Sequence, residues 1–267
     1  ETGTIIRFCL VLFSDCRSFL FMATVDLNLP ADAETLVQQG LTLAIDKPLG
    51  MTSFHVVRRM RGAFKRRYNL KKLKIGHAGT LDPLATGVLV LCVGRATKGI
   101  QQYVDSEKGY QAMLTLGATT ASYDAESDIK PTGSAIPELT DELRLALIEQ
   151  FSGLISQKPP IFSAVKIEGK RAYHLARKGV AVDIKAREVT IHALSIQAIQ
   201  PDVWQLDIQC SKGTYIRSLA HDMGQSLGCG AYLSGLVRTQ VGSHHLHACH
   251  DLDAAWEAVH PGHISEE

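Results

Sequence analysis

The sequence predicts an α+β domain with a largely antiparallel or mixed central sheet, flanked by helices and loops. Segments that alternate apolar and polar residues, as strands do, occur together with segments whose apolar residues recur every three or four positions, as in helices. The two kinds do not follow the steady strand–helix alternation of a doubly wound parallel fold. With 267 residues, 45% hydrophobic and 21% charged, the chain can bury a full core.

The first predicted elements surround the most distinctive stretch of the chain. Residues 41–46 (LTLAID) read as a short strand that stops at the turn-forming residues 47–50. A helix then begins at Thr52 or Ser53, whose hydroxyls can accept a hydrogen bond from the first helical turn. Its apolar face, spaced i, i+3 and i+7, consists of Val57, Met60 and Phe64.

The middle of the chain is predicted to contain a loop, two strands and a helix. Residues 75–87 are rich in glycine and proline and are predicted to be mostly loop, whereas residues 87–94 (GVLVLCVG) read as a buried strand. Alternation at 110–116 predicts another strand, followed by a polar, turn-rich segment at 117–132. A helix with a threonine cap and an acidic first turn is predicted at 140–151.

The last third of the chain completes the predicted fold. Its elements are a short helix at 172–178, paired strands at 188–199 and 203–210, a helix at 213–227, a strand at 239–242 and a terminal helix capped by Asp251.

The N-terminal residues and the cysteines bear on the cellular compartment of the protein. Residues 1–25 are predicted to be a disordered or artefactual extension, within which Met22 is read as a natural start. A secretory signal is the alternative, but the apolar run is short and no small-residue cleavage motif follows it. No apolar stretch reaches the roughly 18–20 residues of a spanning helix. The six cysteines form no C-x-x-C pair, which favours a reducing cytoplasm over a disulfide framework or a zinc site.

Positive charge is concentrated in one segment. The net charge is +1, yet residues 58–74 contain nine basic side chains and no acidic one, which leaves 19 basic against 27 acidic residues elsewhere. Such segregation is expected of a surface that binds phosphates, although a solvated helix face is the simpler alternative. The segment leads directly into the most informative motif, which favours the first interpretation.

Residues 76–87 (GHAGTLDPLATG) form this motif. An Asp before a Pro commonly forms a turn, but twelve ordered residues with three glycines and two threonines are rarely accidental. The segment resembles the G-H-x-G-T-L-D-P motif of the TruB family of pseudouridine synthases. The resemblance covers about residues 41–242, read as the catalytic domain. Its other motifs are DKPLGMTS at 46–53, KGY at 108–110 with LGATT at 116–120, PPIFSAVK at 159–166, KGTYIRSL at 212–219 and LVRT at 236–239.

The resemblance implies a pseudouridine synthase fold and an isomerase that converts uridine 55 in the T arm of tRNA to pseudouridine. It makes Asp82 the catalytic carboxylate, which either adds to the ribose or deprotonates it. Arg217 would pair with Asp82 and lower its pKa. Tyr110 would be the third catalytic residue, its ring stacking on the flipped base and its hydroxyl assisting proton removal at C5. Neither a cofactor nor a metal is expected.

The resemblance also implies a set of RNA contacts. His77 would help to splay the RNA loop, and Tyr215 and Leu236 would line the nucleotide pocket. Residues 163–187 would form a basic thumb over the T arm, gripping phosphates from the side opposite the 58–74 segment. The other positions matched to RNA or substrate binding are Lys47, Thr80, Leu81 and Lys166.

Two departures from the family pattern stand out. Phe162 occupies a position where many members have Tyr, so that hydroxyl is missing. Residues 243–267 are expected to be a short tail without the PUA domain of many members. The expected partner is tRNA, with no membrane and no obligatory protein partner, and the protein is expected to be a monomer.

Three alternatives remain open at this point. A non-enzymatic RNA-binding protein on the same scaffold would be expected to lose Asp82 or Arg217, and both are present. A guide-RNA-dependent synthase resembling dyskerin would carry the same G-H-x-G-T-L-D motif. A zinc enzyme could use clustered histidines, but no carboxylate pairs with them at a recognisable spacing. These histidines are His244, His245, His247 and His250.

Overall fold

A mixed ten-stranded sheet forms the centre of the described residues. The computed structural model describes residues 27–162, 166–167, 170–171 and 184–260, with the backbone alone at 166–167 and 170–171. The sheet strands are β1 (Leu41–Lys47), β2 (Ile75–His77), β3 (Ala85–Val93), β4 (Lys108–Leu116), β7 (Gly153–Gln157), β10 (Arg187–Gln200), β11 (Val203–Cys210), β12 (Ala231–Val241), β13 (His244–His245) and β14 (His250–Asp251). Two small hairpins pair β5 (Ala118–Thr119) with β6 (Lys130–Pro131) and β8 (Lys166–Ile167) with β9 (Lys170–Arg171).

The order of strands explains how distant motifs meet. The main path runs β14–β1–β3–β12–β4–β11–β10–β7, with β2 added on β3 and β13 on β12. The β1/β14 and β3/β12 pairs are parallel, whereas the other pairs are antiparallel. The parallel β3/β12 pair sets Leu236 beside Ala85 and joins two halves of the sheet. The predicted α+β class with a mixed sheet is confirmed.

The described helices cover the sheet. They are α1 (Ala33–Gln38), α2 (Ser53–Arg67), α3 (Ile100–Asp105), α4 (Asp141–Phe151), α5 (Ile216–Ser226) and α6 (Leu252–Val259), with 3₁₀ turns at Gly94–Gly99 and Leu246–Ala248. None of these helices combines the length and the apolar character needed to cross a membrane.

Helix starts follow the capping residues read from the sequence. The hydroxyl of Thr52 accepts a hydrogen bond from the His55 amide, and Thr140 caps α4 in the same way. The Asp251 carboxylate accepts from two amides in the first turn of α6. The predicted apolar face of α2 is buried as expected. Local chemistry therefore sets these three helices.

Two apolar cores lie in the two halves of the sheet. In one, α4 and α5 pack on β4, β10, β11 and β12 around Trp204 and Leu219. In the other, α1, α2 and α6 pack on β1 and β3 around Phe64 and Leu91. Since β3 and β12 join the halves, loops from both cores converge where these strands meet.

The C-terminal segment differs from the predicted tail. As far as His260 it belongs to the fold: β14 pairs with β1, setting His250 beside Ile45. Leu252, Ala255 and Val259 on α6 are buried in the same core as α2. The apolar spacing of so short a helix carries too little signal to reveal this packing from the sequence.

Other predicted boundaries shift modestly. The helix predicted at 213–227 begins only at Ile216, and the strand predicted at 239–242 begins at Ala231. The elements α1, α3 and β7 were not predicted. The extension at 1–25 and the short helix at 172–178 lie outside the described residues.

Candidate active site

The loop between β2 and β3 carries Asp82 and is fastened to the start of α2. Ser53 donates its hydroxyl to the Leu81 carbonyl (3.1 Å) and accepts from the Leu81 amide (2.8 Å). The Gly50 amide donates to the Pro83 carbonyl at 2.8 Å. Two motifs separated by more than twenty residues thus form one rigid unit, from which the Asp82 side chain emerges with 38% of its surface exposed.

Lys47 is the buried centre of this unit. Its ammonium group donates to the carbonyls of Pro48 (2.8 Å), Met51 (2.6 Å) and Pro83 (3.5 Å), and its side chain has no exposed surface. Burial lowers the pKa of Lys47 to about 8, while the nearby Asp82 charge opposes this shift. The prediction that Lys47 contacts RNA is therefore wrong for this conformation, because its ammonium positions the catalytic loop from behind.

Replacing Lys47 by Met is expected to destabilise the fold by about 2–4 kcal/mol, since three carbonyls would lose the buried, charged donor that they share. Denaturant unfolding would measure this loss, and any activity that depends on Asp82 should fall with it as the Asp82 loop loosens. The control is Lys98→Met, an exposed lysine whose loss should change stability by less than about 0.5 kcal/mol. A Lys47→Met protein as stable as the control would show that the ammonium does not hold the loop.

Arg217 holds Asp82 from the other half of the sheet. Its Nε lies 3.0 Å from Asp82 Oδ2 and 3.6 Å from Asp124 Oδ2. Its Nη1 donates to the Ser122 carbonyl (3.1 Å) and its Nη2 to the Phe162 carbonyl (2.9 Å). With only 7% of its side chain exposed, the guanidinium is fixed on all sides. At position 162 it is the backbone that contacts Arg217, so this contact does not require the missing Tyr hydroxyl.

Asp124 is a member of the site that the sequence analysis missed. Its buried carboxylate accepts from the Ser122 hydroxyl (2.5 Å) and the Glu126 amide (3.0 Å), and its own carbonyl accepts from Thr120 (2.7 Å). These hydrogen bonds fix the orientation of the Asp124 carboxylate beside Arg217. Three residues separate it from the matched LGATT segment, and an Asp in a polar, turn-rich stretch reads as an ordinary turn former.

The electrostatic balance at Asp82 differs from the expected one. Burial raises the pKa of Asp82, and the Arg217 charge opposes the rise, while Asp124 adds to it. Arg217 thus acts in the predicted direction, but desolvation outweighs it and the pKa of Asp82 rises overall. The larger contribution, desolvation, depends on how closely the loop packs against the sheet.

Tyr110 lies next to this centre on β4. It pairs across the sheet with Arg238 on β12, whose buried guanidinium donates to the carbonyls of Val88 (2.8 Å) and Gly79 (3.1 Å). Burial raises the pKa of Tyr110, while Arg238 opposes this shift and the Asp82 charge adds to it. The phenol is therefore protonated at neutral pH. Arg238 also fixes the glycine turn of the catalytic motif, a role that its motif match alone did not reveal.

The cleft over Asp82 is small. Its free volume is about 10 Å³, close to that of one water molecule. The walls consist of Asp82, Leu84, Ala85, Asp124, Arg217, Leu233, Ser234, Gly235 and Leu236. Leu236 is one of these walls, and its contact with a nucleotide stays a prediction.

Of the other predicted RNA contacts on the catalytic motif, one is accessible. The Thr80 side chain is exposed at the tip of the loop. Leu81 is buried with 3% exposure, so its side chain anchors the loop and has no surface to offer RNA. His77 is half-buried on β2, and burial lowers its pKa, which leaves the ring neutral at pH 7.

Tyr215 is fixed at the start of α5. Its amide donates to the Gln157 side chain (2.7 Å), which returns a hydrogen bond to the Tyr215 carbonyl (3.0 Å). The Arg187 guanidinium lies 5.4 Å from the centre of its ring. The half-buried ring does not line the small cleft over Asp82. The side chain of Lys166 and most of the thumb at 163–187 lie outside the described residues.

The basic segment at 58–74 is partly structural. Arg61 donates to the Ile75 carbonyl (3.1 Å), and Arg67 donates to the Ala258 carbonyl (3.3 Å). Arg59 forms an ion pair with Asp253 at 2.5 Å. Other members are exposed, namely Arg58, Arg66, Lys71, Lys72 and Lys74. Part of this segment therefore remains a cationic surface.

Comparisons with protein families agree with this geometry. Residues 65–216, more than half of the chain, match the model described as TruB family pseudouridylate synthase (N terminal domain). Residues 217–262 match the model described as tRNA pseudouridylate synthase B C-terminal domain. The second match spans α6, which the structure also shows to be part of the fold.

Curated relatives share most of the chain. It is 45% identical to tRNA pseudouridine synthase B of Phocaeicola vulgatus over 229 residues, covering 86% of this chain and 97% of that protein. It is 48% identical to the protein of the same name from Bacteroides thetaiotaomicron over 221 residues, covering 80% and 90%.

Similar solved structures come from larger chains. One, a Cbf5–Nop10–Gar1 complex, matches with a TM-score of 0.60 and 27% identity over 82% of this chain. Another, an H/ACA RNP bound to a substrate RNA containing 2′-deoxyuridine, matches with a TM-score of 0.58 and 25% identity. The present chain spans 54% and 53% of those chains, about half their length.

Proposed function

The chain belongs to the TruB family of pseudouridylate synthases, and from this premise we propose that it isomerises uridine 55 in the T arm of tRNA to pseudouridine. The observation that carries the proposal is the contact between Arg217 Nε and Asp82 Oδ2 at 3.0 Å, at the bottom of a cleft formed by both halves of the sheet. A positioned carboxylate with a fixed cation beside it is the chemistry that the reaction requires.

The reaction rearranges atoms within a single nucleotide. The bond between uracil N1 and ribose C1′ breaks, the base turns, and C5 bonds to C1′. C5 then loses its proton and N1 gains one, so that no atoms or electrons are exchanged with a cofactor. An ionised Asp82 can act at the ribose either as a nucleophile or as a base. Both routes need the charged carboxylate, which burial disfavours and Arg217 favours.

The target nucleotide has to leave the RNA stack before it can reach Asp82. Extrusion costs about 2–4 kcal/mol, and the small cleft over Asp82 would have to widen around the nucleotide. Stacking on the ring of Tyr110 would return about 1–3 kcal/mol. The protonated phenol suits a stacking platform better than a base, because burial holds its proton.

The relatives described above also support a proposal for the substrate and the partners of this chain. The chain covers nearly the whole length of the curated tRNA enzymes but about half of the ribonucleoprotein chains, which supports an enzyme that acts without a guide RNA or protein partner. The folded shape of the T arm, rather than a base code, would select the site. A tRNA substrate and the unpaired thiols of Cys92, Cys210 and Cys229 support a cytoplasmic location.

Purified protein incubated with an unmodified tRNA transcript is expected to form pseudouridine at position 55 alone, with no added RNA, protein or metal. Chemical mapping of pseudouridine measures this directly. A transcript with cytidine at position 55 is the matched control and should remain unmodified. Product at another position would contradict the assignment, and product that appears only after a guide RNA is added would favour the dyskerin-like alternative.

A further inference from the structure

A second concave surface lies between the basic helix α2 and the C-terminal helix α6. It has a volume of about 450 Å³, and its walls include His55, Arg58, Arg59, Gly62, Arg66 and Trp256. A Cβ added at Gly62 would meet nothing within 4 Å, so a larger residue there would stand in open space. This surface, here called the arginine groove, is separate from the cleft over Asp82.

The arginine groove has more positive charge than its own surroundings neutralise. Arg59 is paired with Asp253 across the groove. Arg58 and Arg66 are exposed, and within residues 27–162 and 184–260 neither has a carboxylate within salt-bridge distance. Both guanidinium groups therefore keep a positive charge that no carboxylate of these residues neutralises, at two points of α2 eight residues apart. The charge therefore points to an anionic ligand.

The groove is organised before any ligand arrives. The Arg59 guanidinium lies 5.2 Å from the centre of the Trp256 ring, which stacks on His260 with ring centres 4.4 Å apart. His260 in turn contacts Arg66 Nη1 at 2.8 Å. This chain of contacts holds the arginines of α2 against α6, so that binding a ligand would cost little ordering of side chains.

Its position links the groove to the active site. Met51 also lines the groove, and the Met51 carbonyl accepts from Lys47, the residue that supports the Asp82 loop. From this end α2 runs for fifteen residues, about 22 Å, with Arg58 and Arg66 exposed along it. A polyanion that enters the site at Asp82 can therefore continue along α2.

We propose that the arginine groove binds the phosphodiester backbone of the substrate RNA outside the flipped nucleotide. The proposal rests on the proposed function, since it takes the RNA that the active site modifies as the ligand. Guanidinium groups match phosphate oxygens in a forked geometry, and the continuity with the catalytic loop favours RNA over an acidic protein. The C-terminal segment, through Trp256 and His260, would then serve as part of the RNA-binding surface.

The double substitution Arg58→Gln with Arg66→Gln tests this inference. In an Asp82→Asn background, binding of an unmodified tRNA transcript should weaken by about tenfold or more at moderate salt. The slope of log K against log salt should become shallower by about two, one for each phosphate that the protein no longer neutralises. The matched control is Lys130→Gln with Arg144→Gln, which removes two charges on the other half of the sheet and should change neither value.

Fluorescence locates the RNA independently. The chain has two tryptophans, and Trp204 is fully buried, so acrylamide quenching reports on the half-buried Trp256. Bound tRNA should protect Trp256 from the quencher. The inference is overturned if the double variant matches the control in both affinity and salt slope, or if bound tRNA gives no protection. Neither experiment needs turnover, so either result is distinct from a wild-type protein that makes no pseudouridine.

Discussion

Asp82→Asn is expected to lower the rate of pseudouridine formation by at least about 1000-fold, equivalent to about 4 kcal/mol of transition-state stabilisation. A neutral amide can neither add to C1′ nor remove a proton from the ribose, whereas its oxygen can still accept the hydrogen bond from Arg217 Nε. The cleft should therefore keep its shape. Because C5 loses its proton during the reaction, release of tritium from tRNA labelled at uridine C5 measures the rate.

Folding and RNA binding should survive this substitution. Burial disfavours the Asp82 charge, so the amide should leave the melting temperature unchanged or slightly higher. The dissociation constant for tRNA should stay within about threefold, since one exposed carboxylate oxygen contributes little to a surface dominated by phosphate contacts. The control is Asp128→Asn, an exposed aspartate in the nearby loop, which should keep full activity. An Asp82→Asn protein with more than a tenth of the wild-type rate would exclude Asp82 as the catalytic group.

Elements set by local chemistry were predictable from the sequence. A capping side chain and a periodic apolar face lie within a few residues of each other, which is why α2 and α4 start where Thr52 and Thr140 indicated. The parallel pairing of β3 with β12 is different in kind. It joins Ala85 to a residue about 150 positions away, and no local pattern encodes that choice of neighbour.

The active site likewise contains residues that could be predicted from local sequence and residues whose role depends on distant segments. The motifs identified Asp82 and Arg217, and the structure brings them into contact. It also assigns Lys47 and Leu81 to the support of the loop, because their side chains are buried, and burial depends on packing between segments distant in sequence. Asp124 was missed because its role depends on a contact with a residue distant in sequence. Nothing in its neighbourhood distinguishes it from a turn residue until α5 places Arg217 beside it.

The direction of the pKa shift of Asp82 could not be predicted from the spacing of motifs in the sequence. A neighbouring cation can be inferred from a motif match, but the desolvation that outweighs it comes from the whole surface around the loop. The Asp82 carboxylate must therefore be ionised for activity although its burial favours the neutral form. Arg217 is the group that limits the rise, and its removal should have the second large effect on activity.

Arg217→Lys is expected to lower kcat/KM by about 100-fold or more, although the positive charge is retained. The planar guanidinium contacts the carboxylates of Asp82 and Asp124 and also the carbonyls of Ser122 and Phe162. A single ammonium group cannot make these four contacts at once. The matched control is Arg144→Lys, in a surface pair with Asp141 at 2.6 Å, where the change should cost less than about twofold in activity.

The pH profile separates charge from geometry in the Arg217 variants. Activity needs ionised Asp82, so the rate falls as the pH drops through the pKa of that group. Arg217 lowers this pKa against burial and Asp124, and its loss should therefore move the acid limb to higher pH. Arg217→Gln, which removes the charge, should shift the limb further than Arg217→Lys, which keeps it. If both variants lose activity with an acid limb identical to that of the wild type, Arg217 acts through shape alone and the ionised carboxylate does not depend on it.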